Sequence, residues 1–324
     1  MIIVTGAAGF IGSNIIKGLN ELGRSDILAV DDLTHGEKYR NLAVCKFADY
    51  QDSDDFIKHI IAATPYGEKI DAIFHQGACS VTTEWDGRYM MRNNYEYSKH
   101  LLHYCAKYNI PFIYASSAAV YGGRHDCKES TAEQMPLNVY GYSKWLFDRY
   151  VLKMLPNIAS SVVGLRYFNV YGPHEQHKGP MASVAFHFMN QLRDSGVVKL
   201  FQGCDGYADG EQQRDFIFVA DVVNVNLWFL NNPAVSGIFN VGTGAARSFN
   251  ALAKTLIQLH GAGDVHYIPF PQHLKGAYQS FTQADIGTLR TAGYSDEFLS
   301  LEQGLRHYYD YMKPAHEAVA LTQP

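Results

Sequence analysis

The chain has 324 residues, of which 47% are hydrophobic and 18% are charged, enough for about two globular domains with a buried core. Its 27 basic and 32 acidic residues give a net charge of −5, which argues against the basic face of a nucleic-acid-binding protein. The N-terminal sequence has no signal-peptide pattern, and no run approaches the roughly 20 apolar residues of a membrane span. The five cysteines contain no Cys-x-x-Cys pair. We therefore expect a cytoplasmic protein with no membrane or nucleic-acid partner.

The first half of the chain alternates short β-branched runs with longer amphipathic segments, a pattern typical of βαβ units. The predicted strands are Met1–Thr5, Ile27–Val30, Val44–Phe47, Asp71–His75, Pro111–Ala115 and Ser161–Leu165. The predicted helices are Ile11–Leu22, Asp54–Ala63, Trp85–Tyr108 and Val139–Leu155. After about Tyr171 the pattern becomes irregular, and the later strands Phe216–Val219 and Ile238–Val241 indicate a return to the first domain. We predict an α/β fold with a Rossmann-type doubly wound parallel sheet (1–170 and 215–247) and a smaller α/β substrate-binding domain (171–214 and 248–324).

A glycine-rich turn separates the first predicted strand from the first predicted helix. Gly6, Gly9 and Gly12 give the spacing Gly-x-x-Gly-x-x-Gly, which allows a tight turn, a close approach to a pyrophosphate and close helix packing. Asp31 ends the second strand at the position of a ribose ligand, and Gln76-Gly77-Ala78 follows another strand at the same edge. A turn that only joins two elements is the alternative, but this combination favours a dinucleotide site.

The acidic pair Asp31 and Asp32 bears on which dinucleotide binds. Two carboxylates would repel a 2′-phosphate and favour NAD, whereas Lys38, a short loop away, could neutralise that phosphate and favour NADP. Composition leaves both cofactors open.

Tyr140 and Lys144 lie four residues apart at the start of a predicted helix, so their side chains share one face. A nearby cation favours the phenolate, which lets a tyrosine exchange a proton with a sugar hydroxyl. Ser117, directly before Ala-Ala-Val-Tyr at a predicted strand end, is the candidate third group. The alternative is a solvent-facing helical pair. The order of turn, serine and Tyr-Lys along the chain favours catalysis.

The residues near position 178 carry less information by themselves. His174 and His177 have no third ligand nearby, so no metal site is expected. Taken alone, Lys178 is a surface lysine in a loop.

Five segments together resemble the ADP-L-glycero-D-manno-heptose 6-epimerase family of the extended short-chain dehydrogenase/reductases. The resemblance runs from Met1 to about Tyr311 and is carried by Gly77–Gly87, Met90–Cys105, Pro136–Asp148, Arg166–Pro173 and His177–His187. It implies NADP-dependent oxidation of the heptose 6-hydroxyl to a ketone, which takes the same hydride back on its other face. It also implies an ADP-heptose substrate, a homopentamer and a role in lipopolysaccharide inner-core biosynthesis.

The resemblance assigns roles by position. Tyr140 and Lys178 match the two acid/base residues, and Lys144 matches the residue that supports the tyrosine and contacts the nicotinamide ribose. The implied substrate contacts are Asn169, Lys178, Pro180, His187, Phe201, Arg214 and Tyr278. With the glycines, the implied cofactor contacts are Phe10, Ile11, Asp31, Asp32, Lys38, Gln76, Gly77, Ala78, Cys79, Ser80, Asn93, Lys144 and Val170.

Some positions depart from the family pattern. Asp32 replaces an asparagine and Ser53 replaces a lysine, and both changes weaken the argument for NADP. Pro180 replaces a serine that contacts substrate, and the loop before Arg214 is longer.

Two other functions compete with this one. A 4-epimerase or dehydratase of another nucleotide sugar keeps the fold, and a 4-epimerase that swings its keto intermediate past one tyrosine needs no second base. A non-catalytic dinucleotide-sensing protein would be expected to have lost Tyr140 or Lys144, and both are present.

Overall fold

The computed structural model describes residues 1–130, 134–272, 276 and 278–320, with side chains up to Lys313. Its strands are β1 (Ile2–Thr5), β2 (Ile27–Asp31), β3 (Asp49–Asp52), β4 (Ala72–His75), β5 (Phe112–Ser117), β6 (Val162–Tyr167), β7 (Asn169–Tyr171), β8 (Val197–Phe201), β9 (Gln213–Phe218), β10 (Gly237–Val241), β11 (Ala246–Ser248) and β12 (Asp264–Ile268). Its α-helices are α1 (Phe10–Glu21), α2 (Tyr39–Leu42), α3 (Ser53–Ile61), α4 (Gly87–Met90), α5 (Tyr97–Tyr108), α6 (Val139–Met154), α7 (Val184–Ser195), α8 (Val219–Asn231), α9 (Phe249–His260), α10 (Gly287–Thr291) and α11 (Leu301–Ala320).

Seven strands form the central sheet, in the order β10-β6-β5-β4-β1-β2-β3, and every neighbouring pair is parallel. Helices α1 and α8 cover one face through side chains such as Ile16 and Phe229. Helices α3, α5 and α6 cover the other face through side chains such as Leu101 and Phe147. The strand order reverses between β1 and β4, and a ligand crevice forms at such a switch point beyond the carboxyl ends of the strands. The predicted α/β fold with a doubly wound parallel sheet is confirmed.

A smaller region lies beyond the central sheet. It contains a three-stranded sheet, β11-β9-β7, and the parallel pair β12-β8. Its core joins α7, α9 and α11 through residues such as Leu192, Leu256 and Leu305. Strand β10 returns to the central sheet as predicted. The other strand predicted to return, Phe216–Val219, lies mostly in β9, which pairs with β7 and β11 instead. The proposed division of the chain into two domains stays a prediction.

Two predicted elements differ from the structure. The apolar run Val44–Phe47 forms no strand, and the strand lies at the polar segment Asp49–Asp52. Phe47 packs against the core from a loop, because the chain turns there before it pairs with β2. The predicted helix Trp85–Tyr108 is three segments, since a π-helical turn at Met91–Glu96 separates α4 from α5. Among the described helices, none is long and apolar enough to cross a membrane.

Candidate active site

The glycine-rich turn lies between β1 and α1, at the switch point of the sheet. Gly6 has a φ of +67°, and a Cβ there would lie 2.6 Å from the backbone nitrogen of Gly77. A Cβ at Gly12 would lie 2.1 Å from the carbonyl oxygen of Gly6. Gly9 is the N-cap of α1 and has no side chain to cap it, so the first-turn N–H groups at Phe10 and Ile11 are open to an anion. The turn therefore fits the pyrophosphate of a dinucleotide.

Asp31, Asp32 and Lys38 meet at the end of β2. Asp31 is buried, and its Oδ2 accepts a hydrogen bond from Ala8 N at 2.7 Å. The Nζ of Lys38 lies 2.5 Å from Asp31 Oδ1 and also donates to the carbonyl of Asp32. The Asp32 carboxylate is exposed, and the hydrogen bond from Thr34 with the nearby Lys38 lowers its pKa. An ionised carboxylate and a lysine already in an ion pair thus lie at the end of β2, where the sequence predicts the adenosine ribose.

The turn after β4, Gln76–Ser80, is fixed by Asn94. Its Oδ1 accepts from Cys79 N at 2.8 Å, and its Nδ2 donates to Cys79 O at 2.9 Å and to Ser143 Oγ at 3.1 Å. Asn94 is buried in the π-helical turn, whereas Asn93, the predicted cofactor contact, is half-buried beside it. Asn94 is not among the residues that the sequence predicts for the site. The adjacent Asn-Asn pair was the available signal, but only the π-helical geometry separates the two roles.

Buried His75, next to this turn, is neutral. Burial and the nearby Lys144 lower its pKa to about 3. Ser98 Oγ donates to Asn94 O, so it accepts from His75 Nε2 at 2.8 Å, and His75 Nδ1 then accepts from Thr5 Oγ1 at 2.6 Å. This chain of hydrogen bonds ties β1, β4 and the π-helical turn together below the site.

Tyr140 and Lys144 lie on the first turns of α6, and Ser117 ends β5. Asn138 caps α6 by accepting from Gly141 N at 2.8 Å. The Ser117 hydroxyl hydrogen-bonds the Tyr140 phenol, and Lys144 Nζ donates to Ala115 O at 2.8 Å. The structure therefore brings these three predicted residues to one corner, next to Cys79, whose thiol interacts electrostatically with both Tyr140 and Lys144.

The charge states in this corner differ from the sequence-based expectation. Burial raises the pKa of Tyr140, and the Ser117 hydrogen bond only partly opposes that effect. The sequence predicts that Lys144 lowers this pKa, whereas in the structure its ammonium donates to the carbonyl of Ala115. Burial also lowers the pKa of Lys144 to about 8, which Asp148 and Cys79 oppose.

A buried ion pair lies behind Lys144. Arg166 Nε donates to Asp148 Oδ2 at 2.8 Å, and both side chains are at most 2% exposed. Asp148 also accepts from Ser116 Oγ at 2.8 Å and from Tyr114 OH at 2.9 Å. The carboxylate thus links α6 to β5 and β6, and it holds the helix that carries Tyr140 and Lys144 against the strand that ends in Ser117.

Lys178 lies on the loop Gly172–Ser183, which we call the lysine loop. Its Nζ is 5.5 Å from the centroid of the Phe10 ring, at the start of α1 and beside the glycine turn. Burial lowers the pKa of Lys178, and Glu175 opposes that change. His174 hydrogen-bonds Ser13 Oγ at 2.9 Å, and His177 hydrogen-bonds Asn41 at 3.2 Å. Lys178, which the sequence alone indicates as a surface residue, is therefore half-buried beside the glycine turn.

Three of the predicted substrate residues meet in the smaller region. The Arg214 guanidinium lies 4.7 Å from the Tyr278 ring centroid, and Phe270 contacts both Phe201 and Tyr278 at 5.6 and 5.2 Å between ring centroids. Burial lowers the pKa of Arg214. Arg214 is thus a buried cation against the rings of Tyr278 and Phe249, a cluster of a kind that suits a stacked base or a phosphate.

The remaining predicted residues lie around these groups. Asn169 and Val170 are in β7, and Asn169 Oδ1 accepts from Thr282 at 3.3 Å. His187 is half-buried on α7, and Pro180 is exposed on the lysine loop. Within the described part of the chain, no hydrogen bond or ring contact joins Pro180 or His187 to the cluster of Phe201, Arg214 and Tyr278.

A doubly wound sheet with a glycine turn at its switch point and a Ser-Tyr-Lys corner beside it defines a dinucleotide-dependent enzyme that moves hydride and protons on a hydroxyl-bearing substrate. The comparisons make the family specific. The model of the NAD dependent epimerase/dehydratase family matches residues 2–242. The chain belongs to this family.

Individual relatives indicate which members of this family the chain is similar to. An ADP-L-glycero-D-manno-heptose-6-epimerase from Alkalilimnicola ehrlichii is 60% identical over 315 residues, which cover 97% of this chain and 98% of that protein. The crystal structure of the enzyme of the same name from Helicobacter pylori is 30% identical and has a TM-score of 0.82, with 96% of each chain covered. A UDP-glucose 4-epimerase from Thermus thermophilus in complex with NAD is 26% identical and has a TM-score of 0.79, with 97% of this chain and 99% of that chain covered.

Proposed function

We propose that this protein interconverts ADP-D-glycero-β-D-manno-heptose and ADP-L-glycero-β-D-manno-heptose, in the biosynthesis of the lipopolysaccharide inner core. The relatives at 60% and 30% identity that carry this activity in their names support the assignment. In this chain, the observation that carries the assignment is the position of Lys178. Its ammonium group lies beside the glycine turn, on a loop separate from the helix that bears Tyr140 and Lys144.

The two groups divide the proton transfers of an epimerisation. NADP held by the glycine turn would supply the hydride acceptor and the hydride donor for carbon 6 of the heptose. Tyr140 exchanges the proton of the 6-hydroxyl in one configuration, and Lys178 exchanges it in the other. Ser117 stabilises the phenolate of Tyr140 by its hydrogen bond, and Lys144, which donates to the carbonyl of Ala115, would contact the nicotinamide ribose.

The cofactor contacts follow the geometry of the dinucleotide edge. The glycine turn and the first turn of α1 would hold the pyrophosphate, and the Gln76–Ser80 turn would line the nicotinamide side. For the adenosine ribose we propose NADP, with Lys38 as the counter-ion of the 2′-phosphate. Its ion pair with Asp31 and the exposed charge of Asp32 act against that phosphate, so NAD is the competing cofactor.

The cluster of Phe201, Arg214 and Tyr278 would bind the ADP part of the substrate, and Asn169, Pro180 and His187 would contact the sugar side. A cytoplasmic location is part of the proposal and agrees with five unpaired cysteines. Assembly as a homopentamer stays a prediction.

The experiment is NMR on purified protein with ADP-D-glycero-D-manno-heptose and no added cofactor. We expect the L-glycero epimer to appear, and we expect denatured protein to release NADP. Lys178→Met should slow epimerisation by about 10²-fold or more because one proton transfer loses its acid/base group.

The control variant is Lys199→Met, which removes an exposed lysine on β8 and should leave turnover unchanged. Near-normal turnover of Lys178→Met would remove the two-base mechanism and favour a 4-epimerase that uses one tyrosine. No conversion by the wild-type protein with either NADP or NAD supplied would reject the heptose substrate.

A further inference from the structure

One buried carboxylate closes the lysine loop at both ends. Glu175 Oε1 accepts from the backbone N–H of Gly172 at 3.1 Å, where the loop begins. Its Oε2 accepts from the backbone N–H of Ser183, where the loop ends, and Oε1 also accepts from Ser183 Oγ at 2.7 Å. Glu175 is 0% exposed, and Tyr308 of α11 hydrogen-bonds it from outside the loop. The carboxylate therefore joins the two ends of the loop to each other and to the C-terminal helix.

The same contacts favour the ionised form of Glu175. A backbone N–H faces each carboxylate oxygen, and such a group can only donate a hydrogen bond. Burial raises the pKa of Glu175, while these donors and the nearby Lys178 oppose that effect. The interaction is mutual, since burial lowers the pKa of Lys178 and the Glu175 carboxylate opposes that change. A charged carboxylate is thus the electrostatic partner of the Lys178 ammonium inside the protein.

We propose that Glu175 is a positioning residue for Lys178: it fixes the lysine loop against α7 and α11 and supplies the negative charge that keeps the Lys178 ammonium protonated. The inference rests on the proposed function, in which Lys178 is the second acid/base group. Among the described residues, the Phe10 ring and the His177 side chain also interact with this ammonium. Burial lowers the pKa of His177 to about 4, so the imidazole is neutral near pH 7 and contributes no compensating charge.

The test compares a charge-removing variant with a variant that weakens the loop closure and keeps the charge. Glu175→Gln preserves the size of the side chain, whereas Ser183→Ala deletes the Ser183 Oγ hydrogen bond and the N-cap of α7. The kcat and kcat/KM of epimerisation are measured across pH, together with Tm. One limb of the pH profile, the part where activity changes as Lys178 titrates, is identified with Lys178→Arg. It should disappear in that variant, because an arginine does not titrate in this range.

We expect Glu175→Gln to move the Lys178 limb to lower pH by about one unit, since loss of the negative charge lowers the Lys178 pKa further. We also expect Glu175→Asp, which keeps the charge on a shorter side chain, to retain the wild-type limb with a reduced kcat. Ser183→Ala should lower Tm without moving the limb. An unchanged limb in Glu175→Gln, with a fall in Tm alone, would overturn the proposal and leave Glu175 a structural residue.

Should Glu175→Gln fail to fold, Glu175→Asp carries the test, because it keeps the charge and shortens the side chain that closes the loop. A reduced kcat with the wild-type limb would support the positioning role, and a lower Tm with unchanged kcat would overturn the proposal. Failure of the proposed function is distinguishable, because turnover would then survive both Lys178→Met and Lys178→Arg regardless of the residue at 175.

Discussion

The two sides of the active site are positioned by different means. The corner of Ser117, Tyr140 and Lys144 is built on a central strand and a 16-residue helix, and a buried Asp148–Arg166 pair locks them together. Lys178 instead lies on a loop without long regular structure, which hydrogen bonds to Glu175 and Asn41 hold in place. Packing sets the geometry of the first side, whereas a few polar contacts set that of the second. We expect substitutions in the corner to affect chemistry or folding strongly, and substitutions around the loop to have graded effects.

The largest effect should come from Tyr140→Phe in the corner. The variant keeps the ring and removes only the phenol oxygen that Ser117 contacts. We expect kcat for epimerisation to fall by about 10³-fold, because the proton of the 6-hydroxyl loses its acceptor. The change is measured by NMR turnover, with bound dinucleotide determined in the same preparation.

Tyr142→Phe is the matched control. Tyr142 lies on the same helix but is 44% exposed, so loss of its hydroxyl should leave kcat unchanged. Comparable losses in the two variants would mean that the helix, and not the phenol of Tyr140, was disturbed.

Asp148→Asn should have the next largest effect, on folding. The substitution leaves the buried Arg166 guanidinium without its counter-charge, and the free energy of unfolding should fall by about 3 kcal/mol. Denaturant titration measures the change. Asp55→Asn, which breaks an exposed pair with Lys58, should shift the midpoint far less. Equal shifts would show that the corner does not depend on the buried pair.

The contrast between the two sides also explains what the sequence could predict. The corner follows local rules: glycines at a strand-to-helix turn, a serine at a strand end, and a tyrosine and lysine one helical turn apart. Each of these signals spans a few neighbouring residues. Six of the seven parallel strands follow for the same reason, since each carries a run of buried apolar residues.

The exceptions lack such a local signal. Strand β3 is an edge strand with a half-buried, polar sequence, so its apolar neighbour Val44–Phe47 was wrongly chosen. Asn41 contacts Ala8 and His174, which are far away in the chain, and Glu175 contacts the distant Tyr308 besides the ends of its own loop. Neither composition nor spacing encodes these contacts. Lys178 was assigned by family resemblance alone, because its position at Phe10 depends on how the loop folds back onto α1.

The smallest effect should come from Asn41→Ala, which tests whether the two sides communicate. Asn41 is buried, and its Nδ2 donates to Ala8 O at 2.9 Å in the glycine turn and to His174 O at 3.0 Å in the lysine loop. It is thus a direct link between the glycine turn and the lysine loop, which carries Lys178. Loss of the amide should weaken dinucleotide binding and epimerisation together, each by about tenfold or less, as for roughly 1 kcal/mol of net hydrogen bonding.

Asn190→Ala controls for the loss of an asparagine, since Asn190 Nδ2 donates only within its own helix, to Phe186 O at 3.0 Å. Dinucleotide affinity is measured by titration of protein stripped of its cofactor, and turnover by NMR. A fall in turnover with unchanged dinucleotide affinity would mean that Asn41 serves the lysine loop alone. A parallel fall would mean that cofactor binding at the glycine turn and the placement of Lys178 are coupled through one amide group. In that case the position of the lysine loop depends on the glycine turn, which is proposed to hold the dinucleotide.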